Sequence, residues 1–320
     1  MSLRARARSF VSLSIVSLSI ILVFSLSPYA LADKKDKGDK KAARGTPILW
    51  REPSDIASRN LYWGPGGEAM KPDLRKITFI KEEKGGYSTK YRVRDGSGRE
   101  WVAKVSKESQ SETAATRLLW AVGYQTEITY LVPAVYIPTK GEFRNVRFEA
   151  RPKQIKRLDE WEWDNNAFVG TREFQGLKVM MILLNNWDIK DTNNKVLAVR
   201  NDSTGRDELR YVISDLGATF GKTGSFITRS RNKPEDFVEA EFIDELKGNY
   251  VDFHYSGKRK GVFRDITISQ ARWMGRWLSR LSNQQIRDAF RAANYSPDDV
   301  SMLAEGVRAR ITELTTLPQK

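Results

Sequence analysis

The sequence predicts an α+β protein of two parts, a small antiparallel sheet followed by a mainly helical lobe. Three observations carry that prediction. Between residues 76 and 105, three short runs alternate apolar and polar side chains at a period of two, with glycine turns between them. Residues 171 to 188 place Phe174, Leu177, Met181 and Leu184 at spacings of three and four, the period of one helix face. From residue 268 to about 314 the helical pattern recurs in three segments.

Taken in order, the chain begins with an export signal. Arg4, Arg6 and Arg8 precede an apolar run from Phe10 to Leu26, and Ala30-Leu31-Ala32 forms an A-x-A site. Residues 1 to 32 therefore read as a signal peptide cleaved after Ala32, which makes the protein periplasmic or extracellular. The alternative is a membrane anchor over residues 10 to 31, since that run can span a bilayer if it is left in place. No cysteine precedes the cleavage point, which excludes a bacterial lipoprotein. Residues 33 to 45 (DKKDKGDKKAARG) cannot bury apolar surface and read as a disordered basic linker. Leader and linker together hold part of the formal net charge of +14. Residues 46 to 75, with Trp50, Trp63 and the glycine turn at 64 to 67, read as an irregular segment packed on the first lobe.

The meander follows as KITFIKEE, YSTKYRVRD and REWVAKVS, turned first at Gly85-Gly86 and then at Asp95-Gly96-Ser97-Gly98. On the third strand, alternation puts Trp101, Ala103 and Val105 on one face and Val102 and Lys104 on the other. SETAATRLLWAVGY reads as a helix capped by Ser111 and stopped at Gly123, with Glu112 in its first turn. Two further strand-like runs, EITYLVPAVYI and EFRNVRFEARP, complete the first sheet, and residues 151 to 158 lie where a hinge would. This division gives a first lobe over 46 to 158 and a helical lobe over 159 to 320. The helix from residue 171 delivers the chain into a loop at 188 to 193, and two strands, KVLAVRN and ELRYVIS, return it to Asp215. Residues 225 to 264 read as irregular, basic and aromatic, and include His254, which is given no role. Trp273 and Trp277 at i, i+4 read as core, and Pro297 opens the last helix.

Composition narrows the chemistry by elimination. There is no cysteine and only one histidine, so thiolate nucleophiles, cysteine-bound zinc, multi-histidine metal sites and histidine triads are removed. What remains is chemistry by carboxylates, lysine, serine or threonine, or a metal held by oxygen. Asp188, Lys190 and Asn193 stand in the order D-x-K-x-x-N, and a hydrophobic run later ends in Asp215-Leu216-Gly217. A tight loop after a helix presents Asp188 and Asn193 to one point, and the following hairpin brings Asp215 back to it.

With Lys104 on the third strand and Glu112 on the next helix, these motifs resemble the protein-kinase-like superfamily over residues 76 to 315. The plan is closer to HipA-type, lipid-kinase-like and secretory-pathway branches than to ordinary Ser/Thr kinases. The resemblance implies a two-lobed protein-kinase-like fold and transfer of phosphate from a nucleotide to a hydroxyl acceptor. It implies ATP or another nucleoside triphosphate, with Mg2+ or Mn2+. Asp188 would act as base and Lys190 as the loop lysine. Asn193 and Asp215 would hold metal, and Lys104, paired with Glu112 or with the competing Glu108, would meet the phosphates. Val102 would lie beside an adenine ring and Gly85-Gly86 near the phosphates. The departures are Asn186-Trp187 where a histidine precedes the aspartate in ordinary kinases, Leu216 in place of phenylalanine, and no A-P-E. A kinase-fold scaffold without activity, in the cell envelope, is the principal alternative. A polyanion binder is the third reading, weakened because basic residues are scattered among acids and no nucleic-acid motif appears.

Overall fold

Alternation of apolar and polar residues builds the first sheet as its pattern requires. The computed structural model describes residues 45 to 319 except 86, 87 and 204; the expected signal peptide and all of the linker but Gly45 lie outside the described residues. Strands β2 (Thr78–Glu83), β3 (Thr89–Arg94) and β4 (Glu100–Val105) form the meander. The turn into β4 is fixed by Asp95, whose Oδ1 accepts from the backbone N–H groups of Ser97 and Arg99 while its Oδ2 accepts from Trp101 Nε1 at 3.0 Å. Strands β5 (Thr129–Ile137) and β6 (Gly141–Ala150) complete an antiparallel sheet of order β2-β3-β4-β6-β5. One face packs Val93, Trp101, Ala103, Tyr130 and Phe148 into a small core. The other carries Lys104 beside Arg147 and Val102 beside Glu149 in register.

Helix α1 (Ser109–Ala121) starts three residues earlier than its sequence suggested, with Glu108 rather than Ser111 at its cap position. Ser111 is not its cap: its hydroxyl donates to Glu108 O at 3.0 Å and to Gly217 O at 2.9 Å from inside the first turn. At the other end Gly123 has φ +101°, and a Cβ there would lie 2.2 Å from Arg51 O, so glycine is required twice over.

The expected hinge contains β7 (Ile155–Arg157), which pairs with β8 (Asn194–Asn201), and β8 pairs in turn with β9 (Arg206–Ile213). Strand β1 (Thr46–Ile48) lies parallel to β9 and closes this second sheet as β1-β9-β8-β7. The segment from residue 46 was expected on the first lobe, and here the structure differs. Its start belongs to the second sheet, because β9 offers an open edge. Trp50 then donates to Val122 O at 2.7 Å and sets its ring 5.3 Å from Trp273 and 5.6 Å from Trp277. Only further on does the segment reach the first sheet, where Tyr130 OH donates to Gly67 O at 2.6 Å.

Helix α2 (Arg172–Leu183) is capped by Thr171, whose Oγ1 accepts from Phe174 N at 3.2 Å. It was expected to be one-sided, yet every residue from Phe174 to Leu183 is buried. Lys178 is tolerated there because its ammonium reaches Asp265 at 2.9 Å. The stretch read as irregular holds a short helix α3 (Pro234–Glu239) and a hairpin of β10 (Ile243–Lys247) and β11 (Tyr250–Phe253). Helices α4 (Ile268–Ser279), α5 (Asn283–Arg291) and α6 (Pro297–Thr316) end the chain where helical patterning placed them. Thr267 and Ser282 each form a capping box with a glutamine three residues on. The larger core joins α2 and α4 to α6 with Ala114, Leu118 and Leu119 of α1. The architecture is the expected α+β one, a small antiparallel sheet with a mainly helical lobe. Among the described residues no helix is long and apolar enough to cross a membrane.

Candidate active site

Strand β4 aims Lys104 to the side of its sheet away from the small core, where the side chain is 3 % exposed. A buried ammonium needs compensating charge. Glu112 supplies it, with Oε2 at 2.9 Å; Glu108 stands further off at 3.6 Å, which settles the choice between the two partners. Asp215 Oδ1 lies 3.5 Å from the same ammonium. Burial alone would lower the Lys104 pKa, but Glu112 and then Asp215 outweigh it and hold the group protonated. The second oxygen of Glu112 faces Arg147 at 3.1 Å, and Arg147 also meets Glu149 at 2.7 Å.

Asp215 is set by its own turn and by the loop before β8. Its Oδ1 accepts from Gly217 N at 3.1 Å. Ser214 N and Asp215 N both donate to Asn193 O, at 2.7 and 3.2 Å. The backbone thus stitches Asp215 to Asn193 directly. A side chain at Gly217 would meet Glu108 at 2.7 Å, so this turn passes close against the start of α1. Burial pushes the Asp215 carboxyl up, but Lys104, the Gly217 N–H and Arg147 together hold it below its ordinary value.

Asp188 follows α2 in a loop that turns at Asn185, a positive-φ position. Its backbone N–H donates to Asn186 Oδ1 at 3.2 Å, and its carbonyl accepts from Asn193 Nδ2 at 2.5 Å. That bond leaves Asn193 Oδ1 without a hydrogen bond among the described residues, an oxygen donor of the kind a hard cation takes. Two lysines bracket the Asp188 carboxylate, Lys190 at 2.9 Å from Oδ2 and Lys258 at 2.7 Å from Oδ1. Burial raises the Asp188 pKa, and hydrogen bonds from Lys258 and Lys190 more than reverse this, so it lies below the ordinary carboxylate value.

The structure therefore brings Lys104, Glu112 and Asp215 into contact, ties Asn193 to Asp215 and to Asp188, and sets Lys190 on Asp188. It does not do the same for the glycine turn. Gly85 is exposed, and its carbonyl accepts from Lys90 Nζ at 3.4 Å; among the described residues it bonds none of the cluster, and Gly86 lies outside them. Val102 is buried on the Lys104 side, but its neighbour across the strand is Glu149 rather than an apolar residue. A cavity of about 320 Å³ lies nearby, between the first sheet, the hinge and β8, lined by Ile128, Glu127, Arg157, Leu197, Val199 and Arg210 among others. Charge runs along it. Arg157 pairs with Glu127 and reaches Glu149 at 3.3 Å and Ser214 Oγ at 2.8 Å.

Sequence reasoning missed Lys258, Arg147, Glu149 and Arg310. Arg147 and Glu149 were legible in principle, since they alternate with Val146 and Phe148 on a strand paired at both edges. Arg310 braces the loop from α6, donating to Leu183 O at 2.8 Å and Asn185 Oδ1 at 2.9 Å, and nothing local in the sequence marks it. Lys258 arrives from a segment 70 residues after Asp188 and carries no motif.

No family model matches the chain, and no curated protein matches it. Among the solved structures similar to it at low identity are two kinases. One is the Helicobacter pylori proinflammatory kinase CtkA, at 12 % identity over 77 % of this chain and 97 % of that one, with a TM-score of 0.47. The other is the Rio2 kinase–ADP/Mg2+–phosphoaspartate complex from Chaetomium thermophilum, at 12 % identity over 77 % of this chain and 74 % of that one, with a TM-score of 0.31.

Proposed function

We propose that the chain is an exported phosphotransferase of the atypical protein-kinase-like kind, moving a phosphoryl group from a nucleoside triphosphate to a hydroxyl acceptor. The observation that carries this reading is the junction of Lys104, Glu112 and Asp215, with Asp215 bonded through its backbone to Asn193. Phosphoryl transfer asks a protein mainly to position groups and to offset charge. Lys104, held by Glu112, is placed to neutralise phosphate oxygens. Asn193 Oδ1 and the Asp215 carboxylate, which is 44 % exposed, form an all-oxygen pair that suits Mg2+ or Mn2+. Such an ion would supply neutralisation of the phosphate charge. Asp188 is placed to orient the acceptor hydroxyl and take its proton, and Lys190 to meet charge on the transferring group.

One observation favours the inactive reading instead. The side of the first sheet that carries Val102 also carries the buried Arg147 and Glu149, an ionic surface where a purine would prefer an apolar one. A thermal-shift titration with ATP, with and without magnesium or manganese, separates the two readings. A metal-dependent rise in melting temperature is expected, and its absence points to the scaffold. Asp215→Ala should remove both that rise and phosphate transfer. Asp188→Ala should remove transfer and leave nucleotide binding in place. Normal transfer by both variants would refute the site assignment.

A further inference from the structure

Asp188 has two ammonium partners, one on each carboxylate oxygen, where one would neutralise it. Lys190 comes from its own loop. Lys258 is delivered from outside that loop, and the delivery is built. Tyr255 OH donates to Asn186 O at 2.9 Å, and Lys258 N donates to Trp187 O at 2.9 Å. Gly257 between them passes so close that a Cβ would lie 2.8 Å from Trp187 Cα. The backbone of Lys258 is thus fastened to the two residues before Asp188.

The neighbouring acids are already committed. Glu108 holds Arg231 at 2.7 Å and approaches Lys104, and Asp191 holds Arg259 and accepts from Trp163 N. Two lysines thus face Asp188, and Asp215, the other acid within electrostatic reach of Lys190, is already held by Lys104. Both lysines remain partly open to solvent, at 47 % and 39 % exposure, so an incoming group can reach them.

We infer that Lys258, with Lys190, forms an oxyanion subsite beside Asp188, and that the acceptor carries a phosphate or carboxylate close to its reacting hydroxyl. The description of the ligand as an acceptor rests on the phosphotransfer reading; the anion site itself does not. An oxyanion here takes charge-assisted hydrogen bonds from both ammonium groups and offsets the excess positive charge, while Asp188 keeps one oxygen for the hydroxyl.

Calorimetric titration of the full chain with inorganic phosphate, and separately with acetate, tests the inference. Wild type should bind phosphate, acetate or both; the pattern tells a phosphate-bearing from a carboxylate-bearing acceptor. Lys258→Gln should weaken that binding about tenfold or more, as loss of a charge-assisted hydrogen bond predicts. Lys258→Arg should restore most of it, and Lys190→Gln provides a second variant if Lys258→Gln fails to fold. Failure of wild type to bind either anion overturns the inference, and so does a loss below about tenfold in both Lys258→Gln and Lys190→Gln. A Mg-ATP titration alongside keeps the two ideas apart. Anion binding without nucleotide binding overturns the kinase reading and leaves the subsite standing. Nucleotide binding with anion affinity indifferent to Lys258 and Lys190 does the reverse.

Discussion

Glu112 lies between two cations, Lys104 on one oxygen and Arg147 on the other, and none of the three reaches solvent to any extent. Such a triad adds little net stability when whole, but removing one member strands the others. Lys104→Met should therefore lower stability by about 3–5 kcal/mol, read from the urea midpoint. The carboxyls give a pH signature. Asp188 and Asp215 have folded pKa values lowered from the ordinary 3.8, so each contributes stability above that value and loses it as pH falls through the lower folded value. Acid unfolding should begin below about pH 4, and Lys104→Met should move the Asp215 part of it upward, seen as a flatter stability profile in acid. At this scale the sequence was most readable where the chain itself sets the spacing. Asp188, Lys190 and Asn193 share one loop, so their order alone implied their convergence. Lys258 was unreadable because its place depends on how Tyr255 and Gly257 pack against Trp187, a fact of tertiary contact rather than of pattern.

Strands and helices obeyed their periods more faithfully than their ends. The meander, the helix before the 188–193 loop and the three final helices are where alternation and capping residues placed them, because each carries its own burial pattern and turn chemistry. The start of α1 shifted because Ser109 Oγ bonds Lys104 O at 3.1 Å and closes the turn before Ser111 can cap it. Two features stayed hidden at this scale. The short α3 and the β10–β11 hairpin lie in a stretch too polar to show a period. The parallel β1–β9 pairing joins residues far apart in sequence, with nothing local to announce it. A test belongs here: Gly123→Ala must force a side chain into Arg51 O at a left-handed position. It should destabilise by more than about 1 kcal/mol, checked by thermal melting.

Across the whole molecule, the segment from β1 to Met70 links the second sheet, the end of α1, the tryptophans of α4 and the edge of the first sheet. Trp50 is its pivot. Trp50→Ala should cost about 3 kcal/mol, measured by denaturant unfolding, and should loosen the pairing of β1 with β9 as seen by amide exchange. The same breadth of contact applies to α1. Of its thirteen residues only Gln110 and Trp120 escape full burial, and its apolar side chains belong to the core of the helical lobe. A helix wedged on every side has nowhere to swing. The ion pair it makes with Lys104 is consequently a fixture rather than a switch.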